Sequence, residues 1–227
     1  MDIKKIEKIL GIKVMQEKLF EEAFTHRSYL NEHEEKELSS NERLEFLGDA
    51  VLQFLSSKFL FQKYKDIPEG DLTNIRAALV RTESLAEESK RLNFGEFLLL
   101  SRGEENSNGR EREYILANTF EAVLGAIYLN KENIEICEKY LARNLFYKTE
   151  KIVENKEFKD FKSSYQEYTQ EKFGVTPIYK VIDEWGPDHS KNFKVGVYLG
   201  EELKGEGVGG SKQEAEHEAA KSASSML

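Results

Sequence analysis

The chain has 227 residues and a formal net charge of -9, from 33 Lys and Arg against 42 Asp and Glu. This length suits one large domain or two modest ones with a self-sufficient core. The single cysteine, Cys137, excludes an internal disulfide and a cysteine-based zinc cluster and favours a reducing cytoplasmic compartment. The charged N-terminus and the short apolar runs predict neither a secretion signal nor a membrane span. The acidic balance argues against nonspecific nucleic-acid binding but allows a local basic stripe.

The first two thirds of the chain predict helices, because apolar residues recur at spacings of three and four. One apolar face comprises Ile3, Ile6, Ile9 and Leu10, and another comprises Leu44, Leu47, Val51 and Leu55. Further helices are predicted over 72–88, 114–129 and 134–153. No strand has a clear place before residue 150.

The pattern changes after residue 150. A helix is predicted over 161–172, followed by strands over 177–184, 193–199 and 202–208 and by a last helix with Ser211 as its N-cap. The predicted fold class is therefore multidomain: an all-α domain over 1–150, a linker over 151–158, and a small α+β domain of order α-β-β-β-α over 159–227.

The segment from Asn41 to Leu52 carries a stripe of carboxylates. On a helix, Glu42, Glu45 and Asp49 fall at i, i+3 and i+7, within roughly one sixth of the circumference. A solvated acidic face is the ordinary interpretation of such a triple. Because no Lys or Arg relieves the repulsion along this stripe, a cation could instead complete it, and oxygen ligands suit Mg²⁺ or Mn²⁺.

Two further segments offer oxygen ligands. Asn118 and Glu121 lie at i and i+3 of a predicted helix, which could close a coordination sphere from the other side. Glu69 precedes Gly70 and Asp71 at a loop-to-helix junction, where a carboxylate is more simply explained by its favourable interaction with the helix N-terminus.

These segments resemble the bacterial ribonuclease III family. The resemblance is carried, in chain order, by Thr25-His26-Arg27-Ser28, residues 41–52, Glu69-Gly70-Asp71-Leu72 and residues 117–126. The second half is similar to the double-stranded-RNA-binding domain that follows the nuclease domain in this family. The resemblance implies a helical nuclease domain that forms a homodimer with two acidic sites, each cutting one strand of duplex RNA to leave 5′-phosphate and 3′-hydroxyl ends.

The resemblance also assigns roles to individual residues. It implies that the metal ligands are Glu45, Asp49, Asn118 and Glu121, with Asp49 and Glu121 as catalytic residues. Glu42 and Glu69 match outer carboxylates associated with a second metal or with substrate. Hydrolysis needs a deprotonated water and stabilisation of the leaving oxygen, which two divalent ions about 3.5 to 4 Å apart can provide.

Phe46 and His26 match other family positions. Phe46 corresponds to an aromatic knob that inserts into the partner subunit, although an ordinary core phenylalanine would also fit the pattern. His26 is assigned no catalytic role, because a histidine beside Thr and Ser is more often a hydrogen-bonded structural residue.

Position 118 departs from the family pattern, which usually has Asp there. Asn118 keeps an oxygen ligand but removes a negative charge. The residue is interpreted either as natural variation or as a deliberate substitution that traps substrate.

In the second half, Ser163, Gln166 and Glu167 share one helix face and match family positions that enter an RNA minor groove. Pro187 and His189 lie in a loop similar to the one that enters the next minor groove, and Lys212 begins the last helix, where the intervening phosphates would lie. Gln213 stands where family members often have a second basic residue, which should weaken phosphate attraction.

The sequence thus predicts a cytoplasmic, homodimeric endoribonuclease for double-stranded RNA. It would use Mg²⁺, with Mn²⁺ as a substitute, and would process rRNA and other structured transcripts, with no membrane association and no small-molecule cofactor. The main alternative is a double-stranded-RNA-binding protein whose cleavage is impaired by Asn118. A helical scaffold with a solvated acidic stripe is a third hypothesis.

Overall fold

The computed structural model describes residues 1–33, 37–156, 158, 160–187 and 190–225. The chain divides into two compact units, Met1–Phe158 and Lys159–Leu227. The helices of the first unit are α1 (Ile3–Leu10), α2 (Glu17–Ala23), α3 (Arg27–Leu30), α4 (Glu42–Lys63), α5 (Glu69–Val80), α6 (Thr82–Arg91), α7 (Arg102–Asn106), α8 (Glu113–Lys131), α9 (Ile134–Asn144) and α10 (Lys148–Glu154). The second unit contains α11 (Phe161–Phe173), β1 (Ile178–Trp185), β2 (Asn192–Leu199), β3 (Glu202–Gly209) and α12 (Lys212–Ser224). The predicted fold class is confirmed.

The long helices α4 and α8 form the centre of the first unit and pack against each other along their lengths. Leu52 and Leu55 of α4 and Phe120 and Leu124 of α8 are fully buried in the same apolar core. Apolar burial of this extent is the main stabilising contribution to a helical domain.

Two glycines allow the α4–α8 pair to approach closely. A methyl group added to Gly48 of α4 would overlap the backbone carbonyl of Glu121, and one added to Gly125 of α8 would overlap that of Leu44. The two backbones therefore touch at this crossing, and only hydrogen side chains fit between them.

The prediction of one helix over 72–88 is wrong in one respect, because the structure contains two helices there, α5 and α6. Arg81 adopts an extended conformation, with ψ of 156°, and separates α5 from α6. Val80 and Thr82 flank it, and β-branched residues give up helical geometry more readily than Leu or Ala do. The break lets α5 bury Leu79 and α6 bury Leu85.

The helix predicted over 134–153 is also divided. α9 ends at Asn144, and a turn places both Leu145 and Phe146 in the core before α10 begins. α10 then runs to Glu154 with Ile152 buried, so the segment predicted as a linker over 151–158 begins inside a helix of the first unit.

In the second unit, β1, β2 and β3 form an antiparallel sheet in that order. Val195 and Val197 of β2 are buried against Phe161 and Tyr165 of α11 and against the alanines of α12. Ser211 caps α12 by accepting a hydrogen bond from the Glu214 backbone, which confirms the predicted N-cap.

No helix among the described residues is long and apolar enough to cross a membrane.

Candidate active site and RNA-binding surface

The glycine crossing determines which polar residues of the first unit come together. Glu45 and Asp49 lie on α4 on either side of Gly48, and Glu121 lies on α8 where its own carbonyl meets Gly48. The Asn118 side chain forms a hydrogen bond with the Glu45 carboxylate. Four of the predicted metal ligands, contributed by two helices about 70 residues apart in sequence, therefore lie at one crossing.

The carboxylates at this crossing repel one another. Burial, together with the charges of Asp49 and Glu45, raises the pKa of Glu121 to about 8. Burial and the neighbouring Glu42 also raise the pKa of Glu45, while the hydrogen bond from Asn118 opposes this shift. None of Glu45, Asp49 and Glu121 forms an ion pair with Lys or Arg in the described part of the chain. The crossing thus holds negative charge that no protein cation balances.

The oxygen atoms of Glu45, Asp49, Glu121 and Asn118 are chemically suitable ligands for a hard divalent ion. Three carboxylates and an amide oxygen are ligands that Mg²⁺ accepts, and a cation would relieve the repulsion that raises the pKa of Glu121. As the side chains stand, no three Asp, Glu, His or Cys groups among the described residues lie close enough together to hold a metal.

A polar cleft of about 640 Å³ opens beside Glu45 and Asn118. Glu42 lies at this cleft, exposed, with an oxygen 3.7 Å from an Arg27 nitrogen and a hydrogen bond of 2.9 Å from the Ser40 hydroxyl. The structure thus places Glu42 next to Glu45, but paired with a cation.

The cleft has additional lining residues that the sequence alone did not assign to a site. Arg27 and Tyr114 both line it and are exposed. Arg27 lies within the Thr25–Ser28 segment that resembles the family, so the sequence offered a reason to include it among the site residues. Tyr114 had no such signal, because an exposed tyrosine at a helix start is common.

His26 has a structural environment. Its Nδ1 lies 2.8 Å from the Ser28 hydroxyl, which in turn accepts a hydrogen bond from the Ser101 backbone at 3.1 Å. Burial lowers the pKa of His26, although the Glu104 carboxylate opposes this shift. These contacts support the hydrogen-bonded role expected for His26.

Glu69 lies elsewhere in the unit. It is the first residue of α5 and accepts a hydrogen bond of 3.0 Å from the Thr73 hydroxyl. It borders a separate cleft of about 390 Å³ with Phe54 and Phe61 of α4. Residue 54 is about 18 Å along α4 from Glu42 at 1.5 Å per residue, so one chain does not bring Glu69 and Glu42 together.

α4 also presents three phenylalanines to solvent. Phe46 is 81% exposed, Phe61 74% and Phe54 59%. At 100° per residue they lie within about 80° of one another around the helix. Such a row of large exposed apolar side chains is typical of a surface that another protein covers.

In the second unit, the predicted RNA-binding residues that the structure describes are exposed. Ser163, Gln166 and Glu167 lie on one face of α11, and Ser163 donates a hydrogen bond of 2.7 Å to Asp160. Lys212 is the first residue of α12, and its ammonium lies 5.6 Å from the centre of the Phe193 ring.

The loop between β1 and β2 is described only in part. Pro187 is exposed there and follows Gly186, whose φ of +99° favours glycine. His189 lies outside the described residues.

Comparison with known proteins agrees with this architecture. Residues 16–148 match the family model described as Ribonuclease-III-like, and residues 161–227 match the double-stranded RNA binding motif. The chain is 45% identical to Ribonuclease 3 of Oceanobacillus iheyensis over 223 residues, which cover 98% of this chain and 97% of that protein. It is 46% identical to Ribonuclease 3 of Streptococcus gordonii over 225 residues, covering 97% and 96%.

A comparison with solved structures also points to a ribonuclease III nuclease domain. The nuclease domain of ribonuclease III from Campylobacter jejuni matches with a TM-score of 0.58 and 40% identity, covering 63% of this chain and 94% of that one. That structure is described as flexible in a region involved in dimer formation.

A helical unit with an acidic helix crossing, followed by an α-β-β-β-α unit, defines a nuclease joined to a double-stranded-RNA-binding domain. The chain belongs to the ribonuclease III family of double-strand-specific endoribonucleases.

Proposed function

We propose that this chain cleaves double-stranded RNA at the α4–α8 crossing with a divalent ion, Mg²⁺ by preference, held by Glu45, Asp49, Asn118 and Glu121. The glycine crossing carries this proposal, because it brings carboxylates from two helices together with no Lys or Arg to neutralise them. When bound, the ion would supply a deprotonated water and stabilise charge on the leaving 3′-oxygen. The products would carry a 5′-phosphate and a 3′-hydroxyl.

The chain's own residues contribute orientation and charge. Asn118 orients Glu45 through its hydrogen bond, and the half-buried Glu121 carboxylate lies near the charges of Asp49 and Glu45. Glu42 is held by Ser40 and Arg27 at the cleft, where it could contact substrate or a second ion. Glu69 could act at the same site only if a partner subunit supplied it.

We further propose that two copies assemble through the exposed phenylalanine row of α4, with Phe46 buried at the contact. Duplex RNA presents two antiparallel strands, so two sites related by symmetry match its geometry. The second unit would hold the duplex through Ser163, Gln166, Glu167, Pro187, His189 and Lys212. The reaction would take place in the cytoplasm, on rRNA precursors and other transcripts with long stems.

The alternative of binding without cleavage is favoured by one observation, the amide of Asn118 in place of a charge. Incubation with labelled duplex RNA and Mg²⁺ distinguishes the hypotheses. We expect cleavage that ends when EDTA is added. Retention of intact RNA would favour the binding protein, and neither retention nor cleavage would favour the scaffold.

A further inference from the structure

A third cavity in the first unit lies at the C-terminal ends of α1 and α8. Its volume is about 350 Å³, within the roughly 300–1,000 Å³ that is usual for small-ligand pockets. Leu10 of α1, the loop that follows it, Lys131 of α8 and the exposed side of α9 form its walls. None of the predicted catalytic or RNA-binding residues lines it. We call it the basic cavity.

Four cationic side chains line the basic cavity: Lys13, Lys131, Lys139 and Arg143. No Asp or Glu is among the lining residues, although the chain has 42 of them against 33 Lys and Arg. None of the four cations forms an ion pair with a carboxylate in the described part of the chain. This concentration of positive charge, only part of which is offset by the α1 carbonyls that Arg143 binds, attracts anions to a concave site.

The walls are fixed by specific hydrogen bonds. Arg143 donates two bonds from one nitrogen, of 2.9 and 2.8 Å, to the carbonyls of Ile9 and Leu10 at the end of α1. Asn130 of α8 accepts a bond of 2.7 Å from the Met15 backbone and donates one of 2.8 Å to the Lys13 carbonyl. The cavity is therefore set by three helices rather than by mobile side chains alone.

Gly11 is needed for this arrangement. Its φ is +67°, and a methyl group there would lie 2.5 Å from a guanidinium nitrogen of Arg143. A larger residue would therefore displace the guanidinium from the cavity wall as well as strain the backbone.

The floor of the basic cavity is apolar. Leu10 and Tyr140 are each 2% exposed, and Ile136 lies beside them. The Tyr140 hydroxyl is buried without a hydrogen-bond partner in the described chain. Burial raises the pKa of that hydroxyl, and the guanidinium groups of Arg143 and of Arg91 on α6 oppose this shift.

We propose that the basic cavity binds linked phosphate groups, as in inorganic pyrophosphate or the polyphosphate chain of a nucleotide. Four cations match a ligand with three or four negative charges better than a phosphodiester of the RNA backbone, which has one. The apolar floor would accommodate the base or sugar of a nucleotide. Free pyrophosphate and a nucleotide share the linked phosphate groups that the basic cavity would bind.

The test is calorimetric titration of the full-length protein with pyrophosphate, a nucleoside triphosphate and orthophosphate. EDTA is included so that no metal recruits phosphate to the acidic crossing. We expect one site per chain for the first two ligands, with weaker binding of orthophosphate. Tighter binding of the nucleotide would identify it as the preferred source, and equal affinities would identify the phosphate chain alone.

The key variant is Lys13→Gln with Lys139→Gln, which should weaken pyrophosphate binding by about tenfold, equivalent to about 1.4 kcal/mol. Lys65→Gln with Lys151→Gln is the matched control: both lysines are exposed, neither lines the cavity, and the charge change is equal. Unchanged pyrophosphate binding in the cavity variant would overturn the proposal. No binding to the unmutated protein, or a loss confined to duplex RNA affinity, would overturn it as well.

Discussion

The nuclease unit places its predicted metal ligands at the contact between α4 and α8, whereas the RNA-binding unit places its predicted contact residues on exposed faces. Glu121 is held where α8 touches Gly48, and its pKa responds to burial and to neighbouring charge. Gln166 and Lys212 project into solvent from α11 and α12. The proposed catalytic site therefore depends on close packing and should be sensitive to single atoms. The binding surface sums several exposed contacts, each of which contributes modestly.

The largest expected effect is that of Glu121→Gln on cleavage. Removing this carboxylate should reduce the rate by more than about 100-fold, the upper end of the cost of losing a metal's outer partners. Affinity for duplex RNA should stay within about twofold, because the proposed RNA contacts lie in the other unit. Single-turnover cleavage and filter binding measure the two quantities. A parallel loss of binding and cleavage would contradict the assignment of cleavage to the first unit and of RNA binding to the second.

The same variant has a pH signature in metal-free protein. An unfolded Glu has a pKa of about 4.3, so the folded state keeps a proton on Glu121 between that pH and about 8. Glu121 therefore costs stability as pH rises through this window, and the full cost is present above it. Glu121→Gln should raise the melting temperature more at pH 8.5 than at pH 5. An equal gain at both pH values would contradict the raised pKa.

Gly48→Ala tests the packing directly. The added methyl group would meet backbone, which cannot rotate away as a side chain can, so we expect a loss of about 3 kcal/mol or more. Gly70→Ala is the control, because nothing lies within 4 Å of a methyl group there. It should leave stability unchanged or raise it by up to about 1 kcal/mol. Urea unfolding of both variants measures this. Equal tolerance at the two positions would argue against the close helix crossing.

Phe46→Ala should weaken the dimer. If the side chain is buried in the partner, its truncation costs about 3 to 5 kcal/mol of association free energy. Phe173→Ala is matched in residue type and exposed in the second unit, at 53%, and should leave assembly unchanged. Light scattering across micromolar concentrations gives the masses. A monomeric parent protein, or an unchanged dimer after Phe46→Ala, would contradict the proposed interface.

Asn118→Asp should lower the Mg²⁺ concentration for half-maximal cleavage by about tenfold. The new carboxylate adds charge toward the ion but no longer donates a hydrogen bond to Glu45, so metal-free protein should be less stable. Mn²⁺, which accepts N and O donors more readily, should raise the activity of the unmutated protein more than that of the Asn118→Asp variant. Asn106→Asp, exposed and outside the cleft, controls for net charge. Identical Mg²⁺ titrations would show that position 118 does not touch the ion.

Lys212→Ala should have the smallest effect, a few-fold loss of duplex RNA affinity. Losing one phosphate contact should also reduce the slope of log affinity against log salt by about 0.9. The measurement is made on the Glu121→Gln background, which preserves the substrate, with Lys65→Ala as control. Duplex DNA should bind more weakly than RNA, because it lacks the 2′-hydroxyl. An unchanged salt slope would remove Lys212 from the phosphate contacts.

Much of the architecture followed from local pattern alone. The apolar spacing over α4 and α8, the β-branched and aromatic runs over β1 and β2, and the Ser211 cap depend on residues close in sequence, so the sequence itself determined them. The acidic residues Glu45, Asp49 and Glu121 could also be recognised from the sequence as candidate metal ligands. Each lies in a short segment whose spacing and family resemblance are visible without the structure.

Tertiary structure decided what depends on residues far apart. The breaks at Arg81 and after Asn144 arise because each helix half must bury its own apolar side chains, a requirement that periodicity does not reveal. The Gly48 crossing and the basic cavity each bring together segments that are tens of residues apart in sequence. The distance between Glu69 and Glu42 likewise depends on how α4 and α5 pack. Burial and charge at such sites are set by neighbours in space, and the chain order carries no direct record of them.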